Sequence, residues 1–125
     1  MLPTYHSWQL VVLDKRERDY RAGDVIAFRC DSLNAELVKR IAGGPGDTAQ
    51  IINGALTVNG KNSTVYDELV VFDYAGLLSA PVSLREGEYI VIGDNVAQSR
   101  DSRYPEVGIV KEESIVGRVM GDRKR

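Results

Sequence analysis

The stretch Thr48-Ala49-Gln50-Ile51-Ile52-Asn53-Gly54-Ala55-Leu56-Thr57-Val58-Asn59-Gly60 carries the clearest local signal in the chain. Each of its two Asn-Gly pairs follows a short run rich in branched and apolar residues. Asn-Gly suits the type I′ turn, because both central residues of that turn need a positive φ. The stretch therefore predicts strands over residues 48–52 and 55–58, each followed by a tight turn.

The apolar segments on either side of this hairpin are also short and are separated by turn signals. They predict further strands at residues 8–13, 25–30, 37–42, 66–74, 89–92 and 114–120. Residues 32–36 and 74–80 are predicted as loops or short helical turns, because no segment follows the helical period for more than about two turns. The pattern indicates a mainly β fold, with antiparallel sheets forming a partly closed barrel and only short helical turns.

Length and composition exclude several classes of protein. The 125 residues fit a single domain over residues 1–125, and a net charge of −2 does not favour nucleic acid as a partner. With one histidine and one cysteine, the sequence has too few ligands for a zinc site and no internal disulfide. No metal or other cofactor is predicted. A Ser-His-Asp triad would have to use His6, which is more simply a surface histidine.

Lys39 is the first candidate for chemistry. Alternation along a strand places Leu37, Lys39 and Ile41 on one face. Burial between apolar side chains penalises the ammonium form, so the pKa of Lys39 falls and the amine can act as a general base. The alternative is a lysine at a strand edge that extends its ammonium group into water.

The second candidate is the polar loop Gly93-Asp94-Asn95-Val96-Ala97-Gln98-Ser99-Arg100-Asp101-Ser102-Arg103, which follows a predicted strand. Loops of this composition form hydrogen bonds among their own side chains and backbone groups. Asp101 and Arg103 are expected to pair, and Ser99 can donate or accept toward a neighbour. From these residues alone, a purely structural loop and a functional one remain equally possible.

Taken together, these segments resemble the conserved boxes of the type I signal peptidases. Leu-Val-Lys-Arg-Ile-Ala-Gly-Gly-Pro-Gly-Asp (37–47) is similar to the lysine box of that family, and residues 89–103 are similar to its Gly-Asp-Asn…Ser-x-Asp-Ser-Arg box. Residues 21–29 resemble its Gly-Asp strand box, and residues 52–61 resemble the segment after the lysine box. Several long boxes in the right order make this resemblance specific. Val96-Ala97-Gln98 departs from the usual Arg-Asp-Asn and is interpreted as loop variation.

The beginning of the chain resembles the nucleophile box of the same family, Ser-Met-x-Pro-Thr. Met1-Leu2-Pro3-Thr4 matches its last four positions. The resemblance therefore places the nucleophilic serine directly before Met1. It also places an N-terminal membrane anchor before that serine. The chain as given is accordingly expected to be inactive until the serine is supplied.

The resemblance implies a Ser-Lys mechanism of amide hydrolysis. Lys39 would be the general base, and Ser99 would orient it. Asp101 and Arg103 would hold the loop, and Asp94 would support the turn. The implied substrate is the signal peptide of a preprotein with small residues at the cleavage site, bound beside strand residues Glu36, Leu37 and Val38, with Met1 and Tyr5 lining the pockets.

The resemblance further implies a location at the cell membrane, with the catalytic domain on the extracytoplasmic side. The alternative is a non-catalytic signal-peptidase-like protein that assists secretion or surface assembly. A related self-cleaving repressor domain with a Ser-Lys pair is disfavoured by the full Gly-Asp-Asn…Ser-x-Asp-Ser-Arg box, together with the absence of a DNA-binding segment from these residues. A serine before Met1 in the native protein would distinguish the enzyme from the non-catalytic alternative.

Overall fold

The computed structural model describes residues 13–14, 20–66 and 70–119 of the chain. Within these ranges the regular secondary structure consists mainly of antiparallel strands in two sheets. The strands are β1 Leu13–Asp14, β2 Val25–Cys30, β3 Ala35–Gly43, β4 Thr48–Ile52, β5 Ala55–Val58, β6 Lys61–Asn62, β7 Val82–Ser83, β8 Glu88–Ile92, β9 Val110–Lys111 and β10 Ile115–Val119. This confirms the mainly β, antiparallel fold predicted from the sequence.

Helical structure in the described ranges is limited to two 3-10 helices, Gly76–Ser79 and Glu112–Ser114. The first lies inside the segment predicted as a loop or short helical turn. None of the helices in the described ranges has the length and apolar character needed to cross a membrane.

The Asn-Gly turns have the predicted backbone. Asn53 has φ 51° and Gly54 has φ 80°, while Asn59 has φ 56° and Gly60 has φ 82°. A positive φ at both central residues is the requirement of a type I′ turn. These turns connect β4 to β5 and β5 to β6. Together with β7, these three strands form the smaller sheet, of order β6-β5-β4-β7.

The larger sheet has the order β1-β10-β2-β3-β8-β9 and places β3 between β2 and β8. Its antiparallel register sets Lys39 opposite Ile26 and Leu37 opposite Phe28. Lys39 therefore shares a face with the main apolar cluster, which contains the buried residues Tyr20, Ile26, Phe28, Cys30, Ile41, Tyr89, Val91, Val110 and Ile115.

A second apolar cluster fills the space at the smaller sheet. Its buried members are Ala42, Ala49, Ile51, Leu56, Phe72, Leu78, Leu84, Ile90 and Ile92. Because β3 and β8 send alternate side chains to opposite faces, both strands contribute to both clusters. The candidate site lies where β3 begins to pair with β8 and where β8 ends.

One strand prediction was wrong. The described part of residues 66–74 contains no strand, although its composition is rich in aromatic and branched residues. Tyr66 and Phe72 instead pack on the second apolar cluster, and the Phe72 N–H donates to the Gly54 carbonyl at 2.8 Å. The aromatic and branched residues of this segment thus pack on the apolar cluster from irregular backbone and not from a strand. Of the predicted strand at residues 8–13, residues 8–12 lie outside the described residues.

Candidate active site

Lys39 and Ser99 form the centre of the candidate site. The Lys39 Nζ donates to the Ser99 Oγ at 2.9 Å, although the two residues are 60 positions apart in the sequence. Lys39 comes from the middle of β3, and Ser99 comes from the polar loop after β8. The resemblance implied that Ser99 orients Lys39, and in the fold the two side chains are in contact.

The environment of Lys39 disfavours its charged form. Only 9% of the residue is exposed, and Ser99 is buried beside it. Burial is the largest cause of a lowered pKa at Lys39, and the positive charge of Arg103 acts in the same direction, while the carboxylates of Asp101 and Asp94 oppose it. A buried lysine that donates to a hydroxyl is closer to a neutral amine than an exposed one. Such an amine can accept a proton.

Gly93 leaves the space that the Lys39–Ser99 pair occupies. A Cβ at this position would collide with the Oγ and Cβ of Ser99 and would lie 3.4 Å from the Lys39 Nζ. Gly93 directly follows β8, so it begins the polar loop at the point where the lysine amine arrives from β3. The glycine is therefore required by close approach of the backbone to the pair.

Asp101 and Arg103 hold the loop from inside, as a buried ion pair. The Arg103 Nε donates to Asp101 Oδ1 at 2.8 Å and its Nη2 to Oδ2 at 3.0 Å. The guanidinium group also donates to the backbone carbonyls of Val96, Ser99 and Tyr74. A fork of this kind satisfies both charges and fixes the course of the chain around Ser99.

Arg40 is a functional candidate that the sequence analysis missed. Its Nε and Nη2 donate to the two carboxylate oxygens of Asp94 at 2.9 and 2.8 Å, and its Nη1 donates to the Gly23 carbonyl. Arg40 follows Lys39 directly, so it points to the opposite face of β3. The pair ties the Gly-Asp-Asn turn to the strand that carries the lysine. The sequence signal that could have identified Arg40 was its position directly after Lys39 in the Lys-Arg dipeptide.

Next to Lys39, one side of β3 is open with respect to the strands that the structure describes. Its pairing with β2 covers residues 35–40, whereas its pairing with β8 begins at Arg40 and continues to Gly43. No strand in the described ranges pairs with the β8 side of Glu36, Leu37 and Val38. Glu36 is exposed, and Leu37 and Val38 are partly exposed. Met1 and Tyr5, predicted to line the same site, lie outside the described residues.

Comparison with known proteins agrees with this geometry. The family model described as "Signal peptidase, peptidase S26" matches residues 1–121. The chain belongs to the signal peptidase family. The resemblance to this family that the sequence motifs carry is thereby confirmed.

Named relatives of this signal peptidase chain include a signal peptidase I from Bacillus licheniformis, 34% identical over 94% of the chain and 68% of the relative. A probable signal peptidase I-2 from a Synechocystis strain is 33% identical over 94% of the chain and 56% of the relative. The chain thus spans between about half and two thirds of the length of these curated relatives.

The signal peptidase fold is also found among solved structures. A signal peptidase I from Enterococcus faecalis matches with a TM-score of 0.62 and 26% identity, covering 82% of this chain and 97% of the other. The antiparallel sheets that bring Lys39 to Ser99 are therefore those of a signal peptidase fold.

Proposed function

We propose that this chain is the catalytic domain of a signal peptidase I, in which Lys39 is the general base of a Ser-Lys hydrolysis. The observation that carries the proposal is the buried hydrogen bond of 2.9 Å from Lys39 Nζ to Ser99 Oγ. This bond supports the proposal because it fixes the position of a buried lysine whose pKa is lowered.

The proposed reaction splits amide hydrolysis into acylation and deacylation. Neutral Lys39 takes the proton of the attacking serine hydroxyl and later passes it to the leaving amine. The same lysine then activates a water that attacks the acyl-enzyme. The proposed nucleophile is the serine that the Ser-Met-x-Pro-Thr resemblance places directly before Met1.

Ser99 acts on Lys39 and makes no bond to the substrate in this proposal. Its Oγ accepts the lysine N–H and so directs the amine lone pair away from the loop. The buried Asp101–Arg103 pair keeps Ser99 at that distance, because Arg103 also donates to the Ser99 carbonyl at 3.3 Å. Asp94 supports the same turn through its paired contacts with Arg40.

The proposed substrate is the signal peptide of a preprotein, bound as an added strand along Glu36, Leu37 and Val38. The open side of β3 ends at Lys39, so the scissile bond of such a peptide would lie beside the base. Leu37 is partly exposed and offers an apolar surface to the bound peptide. The preference for small residues at the cleavage site is proposed from the family resemblance. Met1 and Tyr5 remain predicted members of the same pocket.

We also propose that the catalytic domain acts on the extracytoplasmic side of the cell membrane. A preprotein is presented to a signal peptidase with its signal peptide still in the membrane, so a peptidase of this family works at that surface. The support for this location is family membership, together with the likeness to named signal peptidases.

The test is cleavage of a preprotein by the chain extended with its native upstream residues and a serine before Met1. Lys39→Ala should lower kcat by at least about 100-fold, because general-base catalysis contributes roughly that much or more. Lys61→Ala is the matched control, since Lys61 is an exposed lysine in β6 and should retain wild-type turnover.

Full activity of the Lys39→Ala variant would overturn the proposed mechanism. A native gene with a residue other than serine before Met1 would instead favour the non-catalytic signal-peptidase-like protein. The two outcomes are separable, because the first is read from kinetics and the second from the coding sequence.

A further inference from the structure

The backbone of Gly93 is held by a hydrogen bond on each side of its Cα, one in each of the two peptide groups that flank it. Its N–H donates to Asp101 Oδ2 at 3.1 Å, and its carbonyl accepts from the Tyr66 hydroxyl at 2.9 Å. Gly93 itself is buried and lies against the Lys39–Ser99 pair, where even a methyl group would collide. Any shift of the Gly93 backbone therefore changes the space around the lysine amine.

Tyr66 reaches Gly93 from a different part of the molecule. It follows β6 and packs on the second apolar cluster, with its ring centroid 6.4 Å from that of Phe72. The Arg103 guanidinium lies over the same Phe72 ring at 5.2 Å. The Phe72 ring thus contacts both Tyr66 and Arg103 of the ion pair that holds the loop. This packing fixes the Tyr66 ring and keeps its hydroxyl directed at Gly93.

The hydroxyl of Tyr66 can act only as a donor to this carbonyl. Burial, followed by the negative charges of Asp94 and Asp101, raises the pKa of Tyr66 above its ordinary value. The phenol therefore keeps its proton over the whole range in which a lysine of lowered pKa would work. Its hydrogen bond to Gly93 is accordingly retained while the amine of Lys39 gains and loses its own proton.

We propose that Tyr66 is a positioning residue of the Lys39–Ser99 pair, acting through the Gly93 carbonyl to hold the Gly93 backbone against the pair. The proposal rests on the proposed function of Lys39 as a base. The hydroxyl satisfies a buried carbonyl that would otherwise attract water. By keeping the Gly93 segment closed, it keeps water from the lysine amine and preserves the hydrogen bond to Ser99.

Removal of the hydroxyl should act on Lys39 through hydration. The charged groups that influence the lysine, Asp101, Arg103 and Asp94, remain in place in a Tyr66→Phe variant. Since burial is the largest cause of the lowered pKa of Lys39, admitting water to the Gly93 segment should raise that pKa. The amine would then be protonated over a wider pH range.

The first experiment compares Tyr66→Phe with Tyr74→Phe in the serine-containing chain. Tyr74 is the matched control, because its ring is partly exposed and stacks on Tyr104 instead of reaching Gly93. Tyr66→Phe should lower kcat about fivefold to tenfold, the equivalent of one buried hydrogen bond, with KM little changed. Its pH–rate profile should move to higher pH, and that of Tyr74→Phe should stay in place.

The second experiment needs no peptidase activity and uses the chain as given. The side-chain NMR signals of Lys39, assigned by their loss in a Lys39→Arg variant, are titrated in the wild type and in Tyr66→Phe. A titration at higher pH in Tyr66→Phe supports the proposal, even if the serine-containing chain proves inactive and the proposed function fails. An unchanged Lys39 titration and pH profile, with only the stability reduced, overturns it.

Discussion

Two basic side chains are buried on either side of Ser99, and they are surrounded very differently. Arg103 is 2% exposed and meets a carboxylate with two parallel hydrogen bonds, and it also donates to three backbone carbonyls. Lys39 is 9% exposed, and its Nζ donates to one hydroxyl, that of Ser99. The first environment stabilises a cation, and the second does not.

The difference indicates separate roles for two residues of the same charge type. The planar guanidinium of an arginine forms a rigid fork that matches a carboxylate, so Arg103 suits a structural ion pair. A lysine changes its pKa readily on burial, so it suits proton transfer. Ser99 contacts both residues: its carbonyl accepts from Arg103 and its hydroxyl accepts from Lys39. Ser99 therefore links the structural ion pair to the proposed base.

The largest expected effect follows from removing Arg103, the structural residue of the two. Arg103→Ala leaves the Asp101 carboxylate buried at 0% exposure without its guanidinium partner. Such a change should lower the free energy of unfolding by about 3–5 kcal/mol. Urea denaturation of the chain as given measures it.

Arg100→Ala is the control for that measurement. Arg100 forms an ion pair with Glu106, but its side chain is 58% exposed, so its removal should cost less than about 1 kcal/mol. Equal losses in the two variants would contradict the structural role assigned to Arg103.

A smaller effect is expected from adding a methyl group beside Lys39 and Ser99. Gly93→Ala places a methyl group in the volume of Ser99, so it should cost about 1–3 kcal/mol of stability and separate Ser99 from Lys39. Urea denaturation gives the stability, and cleavage by the serine-containing chain gives the loss of turnover.

Gly43→Ala tests whether any added methyl group near the end of β3 has the same consequence. A Cβ at Gly43 would make ordinary contacts of 3.6 to 3.7 Å with Asp47 and Leu84. This variant should keep near wild-type stability and turnover. Equal behaviour of the two alanine variants would show that the space beside Ser99 has no special importance.

Much of the fold could be predicted from the sequence, because its turns are local. The Asn-Gly pairs specify a positive φ within two residues, and the strands Val25–Cys30, Thr48–Ile52 and Ala55–Val58 were predicted with their observed bounds. Tyr66 and Phe72 misled the prediction, since aromatic and branched residues favour strands only where a neighbouring strand pairs with them.

The site was predictable only in part. Lys39 and Ser99 were recognisable from motifs, but their contact joins positions 60 residues apart. Arg40 and Asp94 are 54 residues apart, and Tyr66 reaches Gly93 across 27 residues. Pairings of this range depend on how the two sheets pack, and no local pattern in the sequence encodes them.

The central claim, that the fold prepares Lys39 as a neutral base, also predicts how stability depends on pH. With the pKa of Lys39 lowered in the folded state, the unfolded chain binds a proton that the folded chain lacks, between the lowered pKa and the ordinary value of 10.5. The contribution of Lys39 to the free energy of unfolding therefore rises with pH across that window.

The most direct test is the NMR titration of the Lys39 side chain in the chain as given, at fixed ionic strength. Lys39→Arg, which lacks the lysine signals, provides the assignment. The account predicts a titration midpoint below 10.5, the ordinary value for lysine. A midpoint at or above 10.5 would mean that the site holds Lys39 as a cation, and would contradict its assignment as the general base.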